Sequence, residues 1–227
     1  MSGKYGFTSE TDKQLPITEI THENREMFGY GEDCTTFIIP DGVTTIGKSA
    51  FFDCENLTGI SIPKSVTTIC DGAFYWCKNL TRITLPEGVT LIGDYAFYGC
   101  KRLTSINIPE DVTTIGDYAF EDCWSLTSIT IPEGVTYIGA HAFFDCENLT
   151  SISIPDSVTY IGDYAFCGCP ALESITIPEG ITYIGAHAFN DCQSLTDAYY
   201  DGTEEQWNTI SFGYKAFPEG VTIHYNS

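Results

Sequence analysis

The sequence predicts an α/β repeat solenoid that is capped at both ends. A block of 23 residues recurs seven times, first from Pro40 to Ile62, and self-similarity at a fixed short period is typical of solenoids. Each block alternates apolar and polar residues before the next proline, which is the pattern of a short strand. Since the coils of such an array contact only their neighbours, we expect the 227 residues to form one elongated domain.

The first element of each coil is a short strand with the pattern L-T-x-I-x-I-P, as in residues 126–132. Alternation with period two directs Leu126, Ile129 and Ile131 into the core. Proline ends the strand because it has no N–H to donate to the ladder. We expect these strands to pair in parallel on the concave face of the solenoid.

The rest of the coil returns the chain across the convex side. In E-G-V-T-Y-I-G, Val135 and Ile138 bracket two outward residues, and Gly139 supplies the backbone freedom of a turn. The following A-H-A-F-F-D-C segment buries Ala142 and Phe143. We predict a short strand here and then one turn of 3₁₀ or α helix.

The two ends differ from the repeats, as the ends of a solenoid must if its core is to be kept from water. Residues 1–33 are predicted to be an N-terminal cap with a degenerate half repeat, in which Phe28 aligns with the repeat phenylalanine. Residues 34–200 form the solenoid. Residues 201–227 form a C-terminal cap, with a short helix that begins at the T-x-x-Q capping box of Thr203, an inward Trp207 and a terminal strand over 221–225.

Seven of the ten cysteines fall at one position of the repeat. Stacked coils would place them about 4.8 Å apart with parallel side chains, which is poor disulfide geometry. We therefore interpret them as a structural ladder of buried, reduced thiols that donate weakly to the turn backbone. If any thiol reacts, we expect it to be one of the three outside this position, Cys34, Cys70 and Cys167. The ladder consists of Cys54, Cys77, Cys100, Cys123, Cys146, Cys169 and Cys192.

The composition is strongly acidic, with 31 aspartates and glutamates against 10 lysines and arginines. We interpret the excess as spread along the array, where it would repel phosphate backbones and anionic membranes, so neither nucleic acid nor membrane is an expected partner. No apolar run approaches the roughly 18 residues of a spanning helix, and the first thirty residues lack the pattern of a signal peptide. We expect a monomer without direct membrane insertion.

Outward strand positions give a first candidate surface. Short polar side chains there could hydrogen-bond a protein or a glycan, although serine is also an ordinary residue of a strand surface. The candidates are Ser105, Ser128, Ser151 and Ser174.

Tyrosines give a second candidate surface. One repeat position carries Tyr137, Tyr160 and Tyr183, and a nearby position carries Tyr118 and Tyr164. An exposed stripe of tyrosines is a plausible binding patch because each ring gives a large contact area at low entropic cost. The alternative is that the rings stack on one another between coils and shield the core.

The sequence gives no support for catalysis or for a metal site. A carboxylate column follows the repeat prolines, but no Asp-rich calcium loop is present. His141 and His187 are two repeats apart, about 10 Å at the strand spacing, which is too far to share zinc. No phosphate loop or G-x-S-x-G motif occurs. We expect no catalytic residue, metal or cofactor.

The repeat L-T-x-I-x-I-P-x-x-V-T-x-I-G-x-x-A-F-x-x-C resembles the BspA-like, or Treponema-type, class of leucine-rich repeats over residues 34–200. The segment 199–208 also resembles a C-terminal module found on such bacterial proteins. The resemblance implies a curved right-handed solenoid that is displayed on the cell surface or secreted. It also implies binding to host matrix proteins, host cells or other bacteria.

Our first hypothesis is accordingly a non-enzymatic, adhesin-like module that binds a host or cell-surface protein. The alternatives are a glycan-binding module that uses the stacked tyrosines and a structural spacer or scaffold. A catalytic domain with an acid pair is the least favoured, because catalysis needs groups that converge on a water-excluding pocket.

Overall fold

Residues 17–226 are described by a computed structural model, and they form a parallel β-solenoid of about nine turns. Residues 1–16 of the predicted N-terminal cap and Ser227 lie outside the described residues. The strands are β1 Glu19–Ile20, β2 Thr36–Ile38, β3 Thr45–Ile46, β4 Gly59–Ser61, β5 Thr68–Ile69, β6 Arg82–Thr84, β7 Leu91–Ile92, β8 Ser105–Asn107, β9 Thr114–Ile115, β10 Ser128–Thr130, β11 Tyr137–Ile138, β12 Ser151–Ser153, β13 Tyr160–Ile161, β14 Ser174–Ile177, β15 Tyr183–Ile184, β16 Asp197–Tyr200, β17 Ser211–Phe212 and β18 Thr222–Tyr225.

Most coils contribute one strand to each of two faces. Nine two-residue strands form the short-strand sheet, in the order β1-β3-β5-β7-β9-β11-β13-β15-β17. The other face, here called the polar face, consists of the six-stranded sheet β2-β4-β6-β8-β10-β12 and the three-stranded sheet β14-β16-β18. Pairing is parallel and in register, so that Ile138 lies opposite both Ile115 and Ile161. Equivalent repeat positions therefore form columns.

The core lies between these faces and repeats from coil to coil. The predicted inward residues Leu126, Ile129 and Ile131 are buried, which confirms the alternation that the strand pattern predicts. Phenylalanine rings from Phe51 to Phe189 stack with centroids 5.1 to 5.4 Å apart. Burial of each ring contributes about 1.5–3 kcal/mol, and the contribution is shared between neighbouring coils.

The segment after each repeat glycine is a turn and not the predicted 3₁₀ or α helix. His141 and Asp145 have φ of 55° and 54°, and these left-handed residues interrupt the conformation that a helix requires. The N–H of Phe143 between them donates to the carbonyl of Ala165 in the next coil at 2.8 Å. Such bonds form a third backbone ladder, the turn ladder.

Helix in the described residues is limited to α1, Glu204–Trp207, and a 3₁₀ helix at Arg25–Phe28. The α part of the predicted α/β class is therefore not confirmed. The predicted right-handed curvature, with the polar strands on a concave face, stays a prediction.

The first coil is closed by a residue that the repeat alignment did not indicate. The ring of Tyr30 packs edge-on against Phe51 at 5.6 Å and is 5% exposed, whereas Phe28 is only half-buried. The reason is the 3₁₀ helix, which ends at Gly29 in the left-handed region and turns Tyr30 toward the core.

The last coil is covered by α1. Thr203 accepts a hydrogen bond from the N–H of Gln206 at 3.3 Å, and the Gln206 side chain accepts one from the N–H of Thr203 at 2.7 Å. Trp207 is buried against Tyr200, with centroids 5.1 Å apart. The division of the chain at 33/34 and 200/201 stays a prediction.

Candidate functional site

The serine column lies on the polar face. Its members, at the first position of their strands, are all exposed, and Ser128 lies opposite Ser151. The column continues to Asp197, whose carboxylate lies 2.6 Å from His224 Nε2. This hydrogen bond lowers the pKa of Asp197. The serines are Ser105, Ser128, Ser151 and Ser174.

The tyrosine stripe, defined as Tyr137, Tyr160 and Tyr183, lies on the short-strand sheet. Its rings stack with centroids 4.8 and 4.7 Å apart and planes 13° and 16° from parallel. The hydroxyls of Tyr137 and Tyr183 donate to Asp117 and Asp163 at 3.4 and 3.3 Å. Burial raises the pKa of Tyr137 to about 12. The rings are half-buried, so the stripe both shields the core and presents ring edges to solvent.

A second aromatic column follows the turn ladder. Tyr118 stacks on His141 at 4.6 Å, His141 on Tyr164 at 4.9 Å, and Tyr164 on His187 at 5.0 Å. Asp117 and Asp163 connect this column to the tyrosine stripe. Besides the tyrosine hydroxyls, their carboxylates accept the N–H groups of Ala140 and Ala186. These alanines directly precede His141 and His187 of the second column. The structure thus brings the two tyrosine columns together and leaves the serine column on a separate face.

A half-buried carboxylate interrupts the aromatic surface, and sequence reasoning missed it. Glu121 Oε2 lies 3.6 Å from His141 Nδ1, and neither buried atom has a hydrogen-bond partner in the part of the chain that the structure describes. Burial raises the pKa of Glu121 to about 7 and lowers the pKa of His141. The available signal was the repeat position, which four of the six other coils fill with aromatic residues and two with Cys167 and Asn190. The aromatic residues are Phe52, Tyr75, Tyr98 and Phe144.

The charge is polarised along the array rather than spread along it, which corrects the sequence interpretation. Residues 103–214 contain 17 aspartates and glutamates but no lysine or arginine. Both tyrosine columns lie largely in this acidic segment. The basic residues cluster in the earlier coils, where Lys101 lies over Trp124 at 3.7 Å and Lys78 over Trp76 at 4.7 Å.

The structure places the seven cysteines of the ladder in one buried column without disulfides. Each thiol after the first donates to a phenylalanine carbonyl of the preceding coil, as Cys123 does to Phe97 at 3.3 Å. Burial raises the pKa of Cys100 and of Cys146. The thiols thus act as core donors that hold consecutive coils together.

Cys54, the first residue of the ladder, is different because no equivalent coil precedes it. Arg25 Nη1 lies 3.1 Å from its sulfur. The pKa of Cys54 is lowered to about 7, first by the neighbouring Cys77 and then by Tyr30 and Arg25. Arg25, Tyr30 and Cys54 line an open cavity of about 270 Å³.

Two of the three cysteines outside the ladder, Cys70 and Cys167, have raised pKa values. Burial raises the pKa of Cys70, and it raises the pKa of Cys167 to about 12. Cys34 is half-buried, and its sulfur accepts the N–H of Gly31 at 3.2 Å. Two of the three are therefore poor nucleophiles near neutral pH.

Two further findings concern residues 17–226. Within that range no helix is long and apolar enough to cross a membrane. Within the same range no three side chains of His, Cys, Asp or Glu are grouped as metal ligands would be.

The in-register coils, the buried leucine and isoleucine columns and the exposed polar and aromatic columns define a leucine-rich repeat solenoid. The chain belongs to the family described as BspA type leucine rich repeat region, whose model matches six copies over residues 21–146 and 113–223. Members of this family are commonly protein-interaction or surface modules, often surface-associated and generally non-enzymatic.

Solved structures agree with this assignment. A leucine-rich repeat protein of T. pallidum is 30% identical, with a TM-score of 0.64 and coverage of 71% of this chain and 78% of that one. A leucine-rich repeat protein of Bacteroides ovatus is 25% identical, with a TM-score of 0.69 and coverage of 98% and 72%. No curated protein matches the chain.

Proposed function

We propose that this chain is a non-enzymatic, adhesin-like module that binds a host matrix or cell-surface protein through the tyrosine stripe. The stacked rings of Tyr137, Tyr160 and Tyr183 carry the proposal. Stacking holds the rings in place before a partner arrives, so little side-chain entropy is lost on binding. The family supports the proposal, since its members are commonly interaction modules.

The stack favours a protein over a glycan as the ligand. A sugar ring binds an aromatic side chain across a free ring face, but centroid distances of 4.7 and 4.8 Å leave no room between these tyrosines. Ring edges and the hydroxyl of Tyr160 remain for contact. Protein side chains and backbone groups suit such edges better than a sugar ring does.

The location of the stripe in the acidic segment indicates the charge of the partner. A protein with basic side chains around its contact surface would be attracted, whereas nucleic acid would be repelled. For a module of this kind we propose a place on the cell surface or outside the cell, consistent with a family that is often surface-associated. We further propose that it acts as a monomer.

The test is biolayer interferometry of the purified chain against a panel of host matrix proteins and a glycan array. The test variant replaces Tyr137, Tyr160 and Tyr183 with alanine. The matched control variant replaces Ser105, Ser128 and Ser151 with alanine on the polar face. Circular dichroism establishes that both variants fold.

Saturable protein binding that the tyrosine variant loses and the serine variant keeps is the expected result. Loss in the serine variant alone would move the binding surface to the polar face and contradict the proposal. Binding to the glycan array alone would favour the glycan alternative. If the chain binds no member of the panel, the result would favour a spacer or scaffold.

A further inference from the structure

The polar face opens between β4 and β6. These strands pair at their first two residues but not at Ser61 and Thr84. By contrast, β2 with β4 and β6 with β8 pair along all three residues, whereas β8 with β10 pair only at Asn107 and Thr130. The ladder is thus incomplete just before Pro63 and Pro86, and the burial of the side chains distinguishes this place from the β8–β10 junction.

Burial changes at the same place. Ile60 and Ile62 are only half-buried, whereas the aliphatic residues at these two positions in the five later coils are at most 8% exposed. Pro63 and Pro86 are also half-buried, whereas the repeat prolines from Pro109 onward are buried. Apolar surface that every later coil covers is thus accessible here.

Gly88 leaves space beside these residues. Its repeat position is glycine in three other coils, but a Cβ at Gly134 or Gly180 would meet a carbonyl oxygen of the preceding coil at 3.0 or 3.1 Å. In two further coils the position is serine, and the hydroxyls of Ser65 and Ser157 donate to a valine carbonyl of the preceding coil at 2.7 and 2.6 Å. Gly88 has no hydroxyl to make this bond. A Cβ at Gly88 would meet nothing closer than a Thr67 methyl at 3.8 Å, so the space that a serine would fill is open.

The result is an open cavity of about 700 Å³, here called the β4–β6 cleft. Its apolar lining comes from Ile60, Ile62, Leu85 and Pro86. Ligand sites typically have volumes of about 300–1,000 Å³ and combine an apolar lining with a few polar groups. Here the hydroxyls of the unpaired strand ends supply polar groups beside the apolar lining.

One cation and one carboxylate, Lys64 and Glu87, line the rim of the cleft. Lys64 lines the cleft, is exposed and makes no ion pair with any residue from 17 to 226. Its repeat position is otherwise acidic, so the basic charge is specific to this coil. The equivalent residues are Asp41, Glu87, Glu110, Glu133, Asp156 and Glu179.

We propose that the β4–β6 cleft binds the C-terminal end of a polypeptide whose last residues are apolar. The terminal carboxylate pairs with the Lys64 ammonium, and the last side chains cover the exposed faces of Ile60 and Ile62. The hydroxyls of Ser61 and Thr84 hydrogen-bond the peptide backbone. An open cleft suits the end of a chain, whereas a long fatty acid requires an enclosed channel to bury its methylene groups.

The test is a titration of the full chain with two forms of one fluorescent peptide, -Gly-Ser-Gly-Ile-Val, as the free acid and as the C-terminal amide. The free acid is expected to bind about tenfold more tightly, because only the free acid can pair with the Lys64 ammonium; tenfold in affinity is about 1.4 kcal/mol. Lys64→Glu should abolish that preference, and the other coils show that the fold accepts an acid there. Lys48→Glu, with the same change in charge outside the cleft, should not.

Gly88→Ser is the second variant, because it fills the gap while it reproduces the bond that Ser65 makes. This variant should bind the free-acid peptide at least tenfold more weakly, while its circular dichroism spectrum stays the same as that of the parent. Equal binding of acid and amide, no binding of either, or full binding to Lys64→Glu would overturn the proposal. Decanoate that binds more tightly than the free acid would assign the cleft to a lipid and overturn it as well.

Discussion

At the residue scale, Cys54 shows how position in the array changes the chemistry of one side chain. The later ladder thiols donate to a carbonyl of the preceding coil, as Cys77 does to Phe51 at 3.1 Å. Cys54 lies at the edge of a cavity, where Cys77, and after it Tyr30 and the Arg25 guanidinium, lower its pKa, although its thiol also donates to the carbonyl of Phe52 at 3.8 Å. A cation stabilises the thiolate, whereas a carbonyl stabilises the thiol.

Cys54 is therefore expected to react first among the cysteines when the folded chain meets iodoacetamide. The lowered pKa makes thiolate abundant as the pH rises through about 7, and thiolate is the nucleophile. Peptide mapping by mass spectrometry after short labelling times at pH 6 to 9 gives the rate for each cysteine. Arg25→Gln should move the midpoint for Cys54 to higher pH. Cys192 also has a lowered pKa, because of its hydrogen bond with Cys169, and faster labelling of Cys192 or of any other cysteine would contradict the prediction.

Glu121 is expected to make stability depend on pH near neutrality. Folding raises the pKa of Glu121 from 4.5 to about 7. The folded protein therefore binds this proton more tightly than the unfolded chain does. The resulting stabilisation is fully present below about pH 4.5 and is lost as the pH rises through about 7. Tyr98, Asp122, Asp145 and His141 surround it. The free energy of unfolding of Glu121→Gln, relative to that of the parent, should rise by about 1 kcal/mol from pH 5 to pH 8. This figure allows for the partial exposure of the carboxylate.

Urea unfolding at pH 5, 6, 7 and 8 measures this difference. Glu147→Gln is the control, since it removes a carboxylate that is exposed, and its difference from the parent should change with pH less than that of Glu121→Gln. Because the lowered pKa of His141 acts in the opposite direction on acidification, the comparison is repeated in a His141→Gln background. A constant difference for Glu121→Gln across the series would contradict the burial of its charge.

At the scale of single elements, the sequence predicts which side chains point into the core better than it predicts the conformation of the backbone. Phe143 and Ala142 are inward, as the apolar pattern indicates, but the segment that holds them is a turn. Tyr118 and His141 adopt the left-handed region although neither is glycine. Histidine has some preference for this region, but tyrosine has no such preference, so the residue type does not predict it for Tyr118. The conformation is held by bonds to the next coil, 22 residues away, which periodicity cannot show.

The short helix α1 is the element for which the sequence signal and the structure agree in detail. Thr203→Ala removes one bond of the capping box and should lower the free energy of unfolding by about 1 kcal/mol. Ser211→Ala, an exposed change on β17, should stay within about 0.5 kcal/mol. Urea unfolding at pH 7 measures both. Equal losses in the two variants would mean that the capping box does not stabilise the last coil.

At the scale of the whole molecule, the unequal charge of the two halves is expected to make the melting temperature depend on salt concentration. With 17 carboxylates and no lysine or arginine over 103–214, added salt should screen repulsion and raise the melting temperature. Glu133→Lys should stabilise by a few tenths of a kcal/mol in low salt, since a charge about 5 Å from its neighbours matters modestly in water. Lys64 shows that this column accepts lysine.

Scanning calorimetry at 20 and 300 mM NaCl makes the comparison. Glu87→Lys, which changes the same column among the basic coils, is the matched control and should gain less than Glu133→Lys. A salt response that is equal for the parent and for Glu133→Lys would show that the carboxylates of the acidic segment do not repel one another appreciably.

Across the whole molecule, the structural features that recur in every coil could be predicted from the sequence. The features that occur in one coil alone could not. The columns of Leu126, Ile129 and Phe143 follow from period and polarity alone. Cys54, Glu121 and the gap at Gly88 each depend on what a neighbouring coil does or does not supply. Of the three, only Glu121 stands out in the sequence, as the one acid at its repeat position. The properties of Cys54 and of the space beside Gly88 need the distances between coils.

Strict register also bears on how such a chain changes over generations. Phe97, Phe120 and Phe143 meet identical neighbours on either side, so the removal or insertion of one whole repeat leaves every remaining contact of the same kind. Unequal crossing-over between gene segments that encode two coils would therefore lengthen or shorten the tyrosine stripe in steps of one ring. The reach of the surface can then evolve by recombination, without a single new side chain having to be selected.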